Sequence, residues 1–188
     1  MRYENEWRCA NTYHLVRMAP DGSREEVDLY FQPVIYGSKR EENGVTLHRI
    51  GGEDVFDGGI WTPDYLLVIR DSHGERAHLI DAKYAPWDAM MGKGGRLAEC
   101  VQKYLVQTSN SPSGASGEGV AGVWVLCGRL SAKAMTVLDA EDANLVGPGV
   151  LGEGISRLCG AVPWNRNTGR RKMGAFFAQL GLASLTDE

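Results

Sequence analysis

The stretch DYLLVIRDSHGERAHLIDAK, residues 64–83, decides the fold. DYLLVIR (64–70) and AHLIDAK (77–83) are aliphatic runs separated by the turn cluster DSHGE, which contains Gly74. This is the pattern of two antiparallel strands joined as a hairpin. Both faces of each strand are apolar over most of their length, which implies layers above and below the sheet. A hairpin symmetric about this turn has paired positions that sum to 147, so Asp64 faces Lys83 and Leu66 faces Asp81. Asp64, Asp81 and Lys83 then project on one side with Leu66, Val68 and Leu79. Tyr65, Leu67, Ile69, Ile80 and Ala82 project on the other. A slip of one residue in the pairing sum would split the trio.

Working outward, Gly92, Gly94 and Gly95 precede a helical pattern at 96–108, RLAECVQKYLVQT. A Gly/Ser-rich loop follows at 109–119, then the apolar strand VAGVWVLC at 120–127. The helix is thus a crossover, and 120–127 is expected parallel to one hairpin strand. On the other side, 3–18 read as an opening helix with Trp7, Cys9, Ala10, Tyr13 and Val16 on one face, ended by Pro20-Asp21-Gly22-Ser23. Residues 26–36 read as a strand with Pro33 at a bend, 37–44 as a turn and 45–50 as a short strand. Helices are expected at 131–144 and 172–183, with glycine and proline dominating from Gly147. No internal repeat is present. The expected class is α/β with a mixed sheet flanked by helices. Residues 1–130 form its core, and 131–188 a C-terminal extension packed on the same domain.

The chain has 188 residues, 43% hydrophobic and 23% charged, so it can build a core and is not disordered, collagenous or a coiled coil as a whole. Its longest apolar run, Val120 to Cys127, is far short of the ~20 residues of a membrane helix. The N-terminal MRYENEWR carries charges where an export signal is apolar. Cys9, Cys100, Cys127 and Cys159 are widely spaced and form no CxxC, which fits reduced thiols and a cytoplasmic location rather than a zinc site. The net charge of −4 divides into −6 over residues 1–82 and +2 over 83–188. Any nucleic-acid contact therefore needs a local patch. Arg157, Arg166, Arg170, Arg171 and Lys172 provide one between Ser156 and Gly174, with no acid among them. Arg166, Arg170, Arg171 and Lys172, beside Trp164, are the candidate phosphate contacts; a solvated or partner-facing basic tail is the other reading.

The hairpin carries the chemistry. In the symmetric register Asp64 and Asp81 lie on a diagonal, roughly 7 Å apart at the backbone, and can converge on one ion. Two carboxylates and an ammonium at the end of buried strands are costly unless they serve one another or a metal. Hard oxygen donors favour Mg²⁺ or Mn²⁺. A lysine two residues from a ligand can polarise water or stabilise charge developing on phosphorus. A salt-bridged pair at a strand end is the alternative.

TPDYLLVI followed by AHLIDAKY, with Pro63-Asp64 and then Asp81-Ala82-Lys83, resembles the PD-(D/E)xK nuclease superfamily. The helix containing QKYLVQ, residues 102–107, resembles the one bordering such sites. The opening YENEW resembles the Tyr-Glu start of nuclease modules in McrC-like prokaryotic defence proteins. The resemblance spans about residues 3–127. It implies a restriction-endonuclease-like core of helix, three strands, helix, strand, and Mg²⁺-dependent endonuclease activity on DNA in antiviral defence or mobile-element biology. Asp64 and Asp81 would bind the metal, and Lys83 would position or activate water. A first-helix glutamate would complete the site: Glu6 lies on the apolar face of the helical wheel, Glu4 within the Tyr-Glu pair. A homodimer would supply two cuts for two strands. The rivals are a catalytically silent scaffold in a larger complex whose partner supplies DNA affinity, and an RNA-processing nuclease of the same fold.

Other signals read as packing or loop. Gly147, Gly149, Gly152 and Gly154 satisfy GxGxxG, but Pro148 interrupts the turn that a dinucleotide fingerprint requires. The four histidines show no ligand spacing, and His78 faces away from Asp81. Trp61 and Trp87 bracket the hairpin as packing residues or base-stacking surfaces, and Lys103 and Tyr104 can line the site from the helix.

Overall fold

The computed structural model describes residues 12–18, 22–36, 47–50, 60–91, 94–111, 117–128, 136–139, 158–163, 176, 177, 180 and 182. They build a mixed α/β architecture around one seven-stranded sheet. Strands β1 (Thr12–Met18), β2 (Arg24–Phe31), β4 (Tyr65–Asp71) and β5 (Gly74–Lys83) run antiparallel in turn. β7 (Val120–Cys127) is parallel to β5, and β9 (Leu158–Pro163) is parallel to β7. β8 (Thr136–Asp139) closes the far edge antiparallel to β9, giving the order β1-β2-β4-β5-β7-β9-β8. β3 (His48–Arg49) and β6 (Thr108–Ser109) form a separate two-stranded ladder.

Between β5 and β7 the chain passes through α1 (Trp87–Met91) and α2 (Arg96–Cys100), which continues as a π-helix over Val101–Val106. The crossover and the parallel pairing of 120–127 with a hairpin strand follow the sequence expectation. The helix packs on one sheet face: Leu97, Val101, Tyr104 and Leu105 bury against Leu66, Val68, Leu79, Val123 and Val125. The opposite face packs Leu67, Ile69, Ile80, Trp124 and Val162 against Phe176 and Leu180. Phe176 and Phe177 are helical, within the expected 172–183 segment.

Three expectations change. Residues 12–18 are a strand, not the end of an opening helix; 3–11 lie outside the described residues. TYHLVRM is rich in branched and aromatic residues and pairs antiparallel with β2, Leu15 opposite Val27. Residues 136–139, TVLD, are likewise strand, because β9 offers an edge and two of the four are β-branched; the rest of 131–144 is not described. β9 itself, LCGAVP, went unread amid glycines and prolines, although Cys159, Ala161 and Val162 are fully buried. Of the short strand expected at 45–50, the pair His48–Arg49 is in a ladder.

Candidate active site

The hairpin register places the acids. Tyr65 pairs with Ile80 and Asp71 with Gly74, so the strands meet through a two-residue turn at Ser72-His73. Asp71 stabilises that turn by accepting the His73 N–H at 2.7 Å. The pairing sum is 145, two less than the symmetric placement about the longer turn. A shift of two keeps every side chain on its face. It also carries Asp64 from opposite Lys83 to opposite Asp81, correcting the expected diagonal.

Asp64 follows Pro63 at the mouth of β4. Its backbone carbonyl accepts the Gln32 N–H at 2.8 Å, and its Oδ2 accepts the Ala82 N–H at 2.6 Å. Gln32 holds φ at 48°, in the left-handed region, and is the single non-glycine with positive φ among the described residues. This turn at the end of β2 aims an N–H at the Asp64 backbone. Asp81, two residues from the end of β5, is 5% exposed. Its Oδ2 meets the Lys83 ammonium at 2.6 Å and the Cys100 thiol at 3.3 Å. β7 lies parallel alongside, pairing Asp81 with Val125 and Lys83 with Cys127. The cluster therefore sits at the carboxyl end of a parallel strand pair, where open α/β sheets characteristically bind ligands.

The electrostatics form one coupled system. Burial, then hydrogen bonding to Asp81, holds the Asp64 carboxyl above the usual range. Burial alone would lower Lys83, but the hydrogen bond and charge of Asp81 outweigh it and keep the ammonium charged. Burial and then Asp81 push the Cys100 thiol and the Tyr104 hydroxyl up, so both remain protonated. Cys100 and Tyr104 are four residues apart on the helix; the Cys100 thiol bonds Asp81, and the charge of Asp81 acts on the Tyr104 hydroxyl. The Lys103 ammonium lies 3.1 Å from the Tyr104 hydroxyl. It also stands 4.8 Å from the ring centre of Trp61, over which the Arg49 guanidinium sits at 4.5 Å.

Asp64, Asp81 and Lys83 are thus brought together. Glu4 and Glu6, Arg157, Arg166, Arg170, Arg171 and Lys172, and the glycines of 147–154 lie outside the described residues. Among those described, no third His, Cys, Asp or Glu joins the two aspartates as a three-ligand group. Two carboxylates suit Mg²⁺ or Mn²⁺, which take one or two protein carboxylates and complete their shells with water and phosphate oxygens. The raised Asp64 fits this donor set, because two carboxyls in contact repel when both ionise and a cation between them removes the repulsion. Reading Cys100 only as a reduced thiol missed its place here. Its i, i+4 spacing from Tyr104 was the available signal. Arg49 carried no signal, since only the β3–β6 ladder brings it to Trp61.

His78 occupies the face opposite Asp81, as the alternation requires. It is 3% exposed, and its Nδ1 accepts the Trp124 Nε1–H at 3.3 Å. Burial pushes its pKa down to about 4. A cavity of about 670 Å³ opens mainly on that face, lined by Leu15, Val27, Leu67 and Phe176 and, at the strand end, by Lys83 and Tyr84. Apart from Lys83 and Tyr84 its lining is largely apolar, which suits aliphatic groups. No protein-family model, curated protein or solved structure matches the chain. Among the described residues, no helix is long and apolar enough to cross a membrane.

Proposed function

We propose that the chain is a metal-dependent endonuclease with a restriction-endonuclease-like core, which hydrolyses phosphodiester bonds of DNA. The observation that carries this reading is the convergence of Asp64, Asp81 and Lys83 on one face at the carboxyl end of β5, with an ammonium 2.6 Å from a carboxylate that is almost fully buried. Asp64 and Asp81 would hold Mg²⁺ or Mn²⁺. The ion supplies a polarised phosphoryl oxygen and a water acidic enough to attack near neutral pH. The chain's own groups orient this chemistry. Ala82 N–H and the Gln32–Asp64 backbone bond fix Asp64, while the protonated Cys100 thiol braces Asp81. Lys83 keeps its charge, which suits it to stabilising negative charge developing on phosphorus rather than to accepting a proton. A role in prokaryotic defence or mobile-element biology belongs to the same proposal and rests on the resemblance of the motif.

A second reading has its own support. The Lys83–Asp81 pair and the Ala82–Asp64 bond satisfy the cluster internally, as a silent scaffold subunit requires. Incubation of the full chain with plasmid, single-stranded DNA and RNA, with and without Mg²⁺ or Mn²⁺, separates the readings. Divalent-dependent cleavage of DNA is expected. Lys83→Ala should lower it by roughly 10²–10³-fold, and Asp81→Ala should abolish it. The isosteric Asp81→Asn, which retains acceptors for Lys83 and Cys100, controls for folding. Wild-type rates in both Asp81 variants would overturn the assignment, and cleavage confined to RNA would move the substrate class.

A further inference from the structure

Beside the aspartates lies a second cluster of the opposite charge. Trp61 is fixed three residues before Asp64 by two backbone bonds with Ile35, at 2.8 and 3.0 Å. Arg49 is held by the pairing of β3 with β6, and its N–H donates to the Tyr36 carbonyl at 2.7 Å. Lys103 comes from the π-helix, a geometry that concentrates at functional sites. Three separate segments therefore deliver two cations to one indole ring.

Among the described residues, the contacts of Lys103 leave its charge uncompensated. Its ammonium meets the Tyr104 hydroxyl at 3.1 Å and stands 4.8 and 4.7 Å from the ring centres of Trp61 and Tyr104. Among the described residues no carboxylate lies within ion-pair distance of it. Asp81 is already engaged by Lys83. Aromatic faces orient a cation without neutralising it. The two cations over Trp61 also make the ring a platform for positive charge rather than a base-stacking surface.

Building on the nuclease reading, we infer that Lys103, presented by Trp61 beside Arg49, binds a phosphodiester group next along the same strand from the one that meets Asp64 and Asp81. An ammonium is a compact point charge suited to phosphate, and the Tyr104 hydroxyl it contacts lies within the field of Asp81. The arrangement also gives an acidic chain a built contact for a polyanion, next to the carboxylates that repel one.

The test is equilibrium binding of a short labelled single-stranded oligodeoxynucleotide, followed by anisotropy across a KCl series in Ca²⁺, for wild type, Lys103→Gln and Lys103→Arg. Thermal melts verify that each variant is folded. Loss of one phosphate contact should lower the slope of log affinity against log salt by about 0.7 in Lys103→Gln. Affinity should fall roughly tenfold, and Lys103→Arg should keep the wild-type slope. An unchanged slope in Lys103→Gln, or no oligonucleotide binding by wild type, overturns the inference. Divalent-dependent cleavage by wild type with an unchanged slope in Lys103→Gln removes this contact and leaves the nuclease reading standing. No cleavage by wild type with a reduced slope does the reverse.

Discussion

Alternate residues of β5 belong to two different environments. Leu79, Asp81 and Lys83 face the helix layer; His78, Ile80 and Ala82 face the layer that includes Phe176 and Leu180. On the first face a carboxylate at 5% exposure is answered by an ammonium and a thiol, with a protonated tyrosine beside it. On the second, His78 is kept neutral by burial, and a largely apolar cavity is lined by Val27, Leu67 and Ile80. The cavity and the carboxylate cluster thus lie mainly on opposite faces of one sheet, and Lys83 belongs to both. Volume measures where packing is incomplete. A site for a phosphodiester needs charge, and here charge is gathered where a helix end and two strand ends meet.

This contrast can be broken by trading stability against activity. The largest stability effect belongs to the apolar face. Trp124 is fully buried, stacks edge-on against Phe176 at 5.1 Å and donates to His78. Trp124→Ala should cost about 3–5 kcal/mol in urea unfolding. Asp81→Asn should cost far less while removing cleavage. A Trp124→Ala protein as stable as wild type would show that this face is not a core.

The next effect is pH-dependent. The folded-state pKa of His78 lies near 4, below the ordinary 6.5. The unfolded chain therefore binds more protons between those values, and stability falls as pH drops through that window. The contribution is on the order of 3 kcal/mol from pH 7 to below 4. His78→Gln should flatten the stability profile there; a profile identical to wild type would assign the acid lability to other groups.

Asp64 has the opposite sign and a smaller effect. Its folded-state pKa is raised, so the folded chain holds the proton more tightly, and this contribution is lost as pH rises through the folded value. Asp64→Asn, which keeps an acceptor for Ala82 N–H, should melt slightly higher than wild type near neutral pH and show no gain in strong acid. Adding Mn²⁺ should raise the melting temperature of wild type only. A lower neutral-pH melting temperature in Asp64→Asn would show that the carboxylate stabilises the fold.

Much of this comparison is legible in residues 64–83, because strand alternation depends on parity alone. An error of two in the pairing sum left Asp64, Asp81 and Lys83 on one face and His78 on the other. The same error misjudged the facing pair, since turn length sets the register and DSHGE admits more than one turn. The crossover helix and β7 were legible from apolar length and periodicity. β1 was not: over seven residues its aromatic and branched side chains fit a helical face as well as a strand, and only the pairing with β2 decides. β9 was hidden by its glycine and proline, and is a strand because β7 offers it an edge. The Arg49–Trp61–Lys103 cluster joins segments distant in sequence, so no local pattern announces it.

The most direct test of the central claim is anomalous diffraction at the manganese edge from a crystal of the full chain soaked in Mn²⁺. The account predicts a peak between the Asp64 and Asp81 carboxylates, within coordination distance of an oxygen from each, with the Lys83 ammonium drawn away from Asp81 Oδ2. Manganese bound elsewhere in the same crystal, with none between Asp64 and Asp81 and the Lys83–Asp81 pair intact, would contradict it and leave the trio as a salt-bridged strand end.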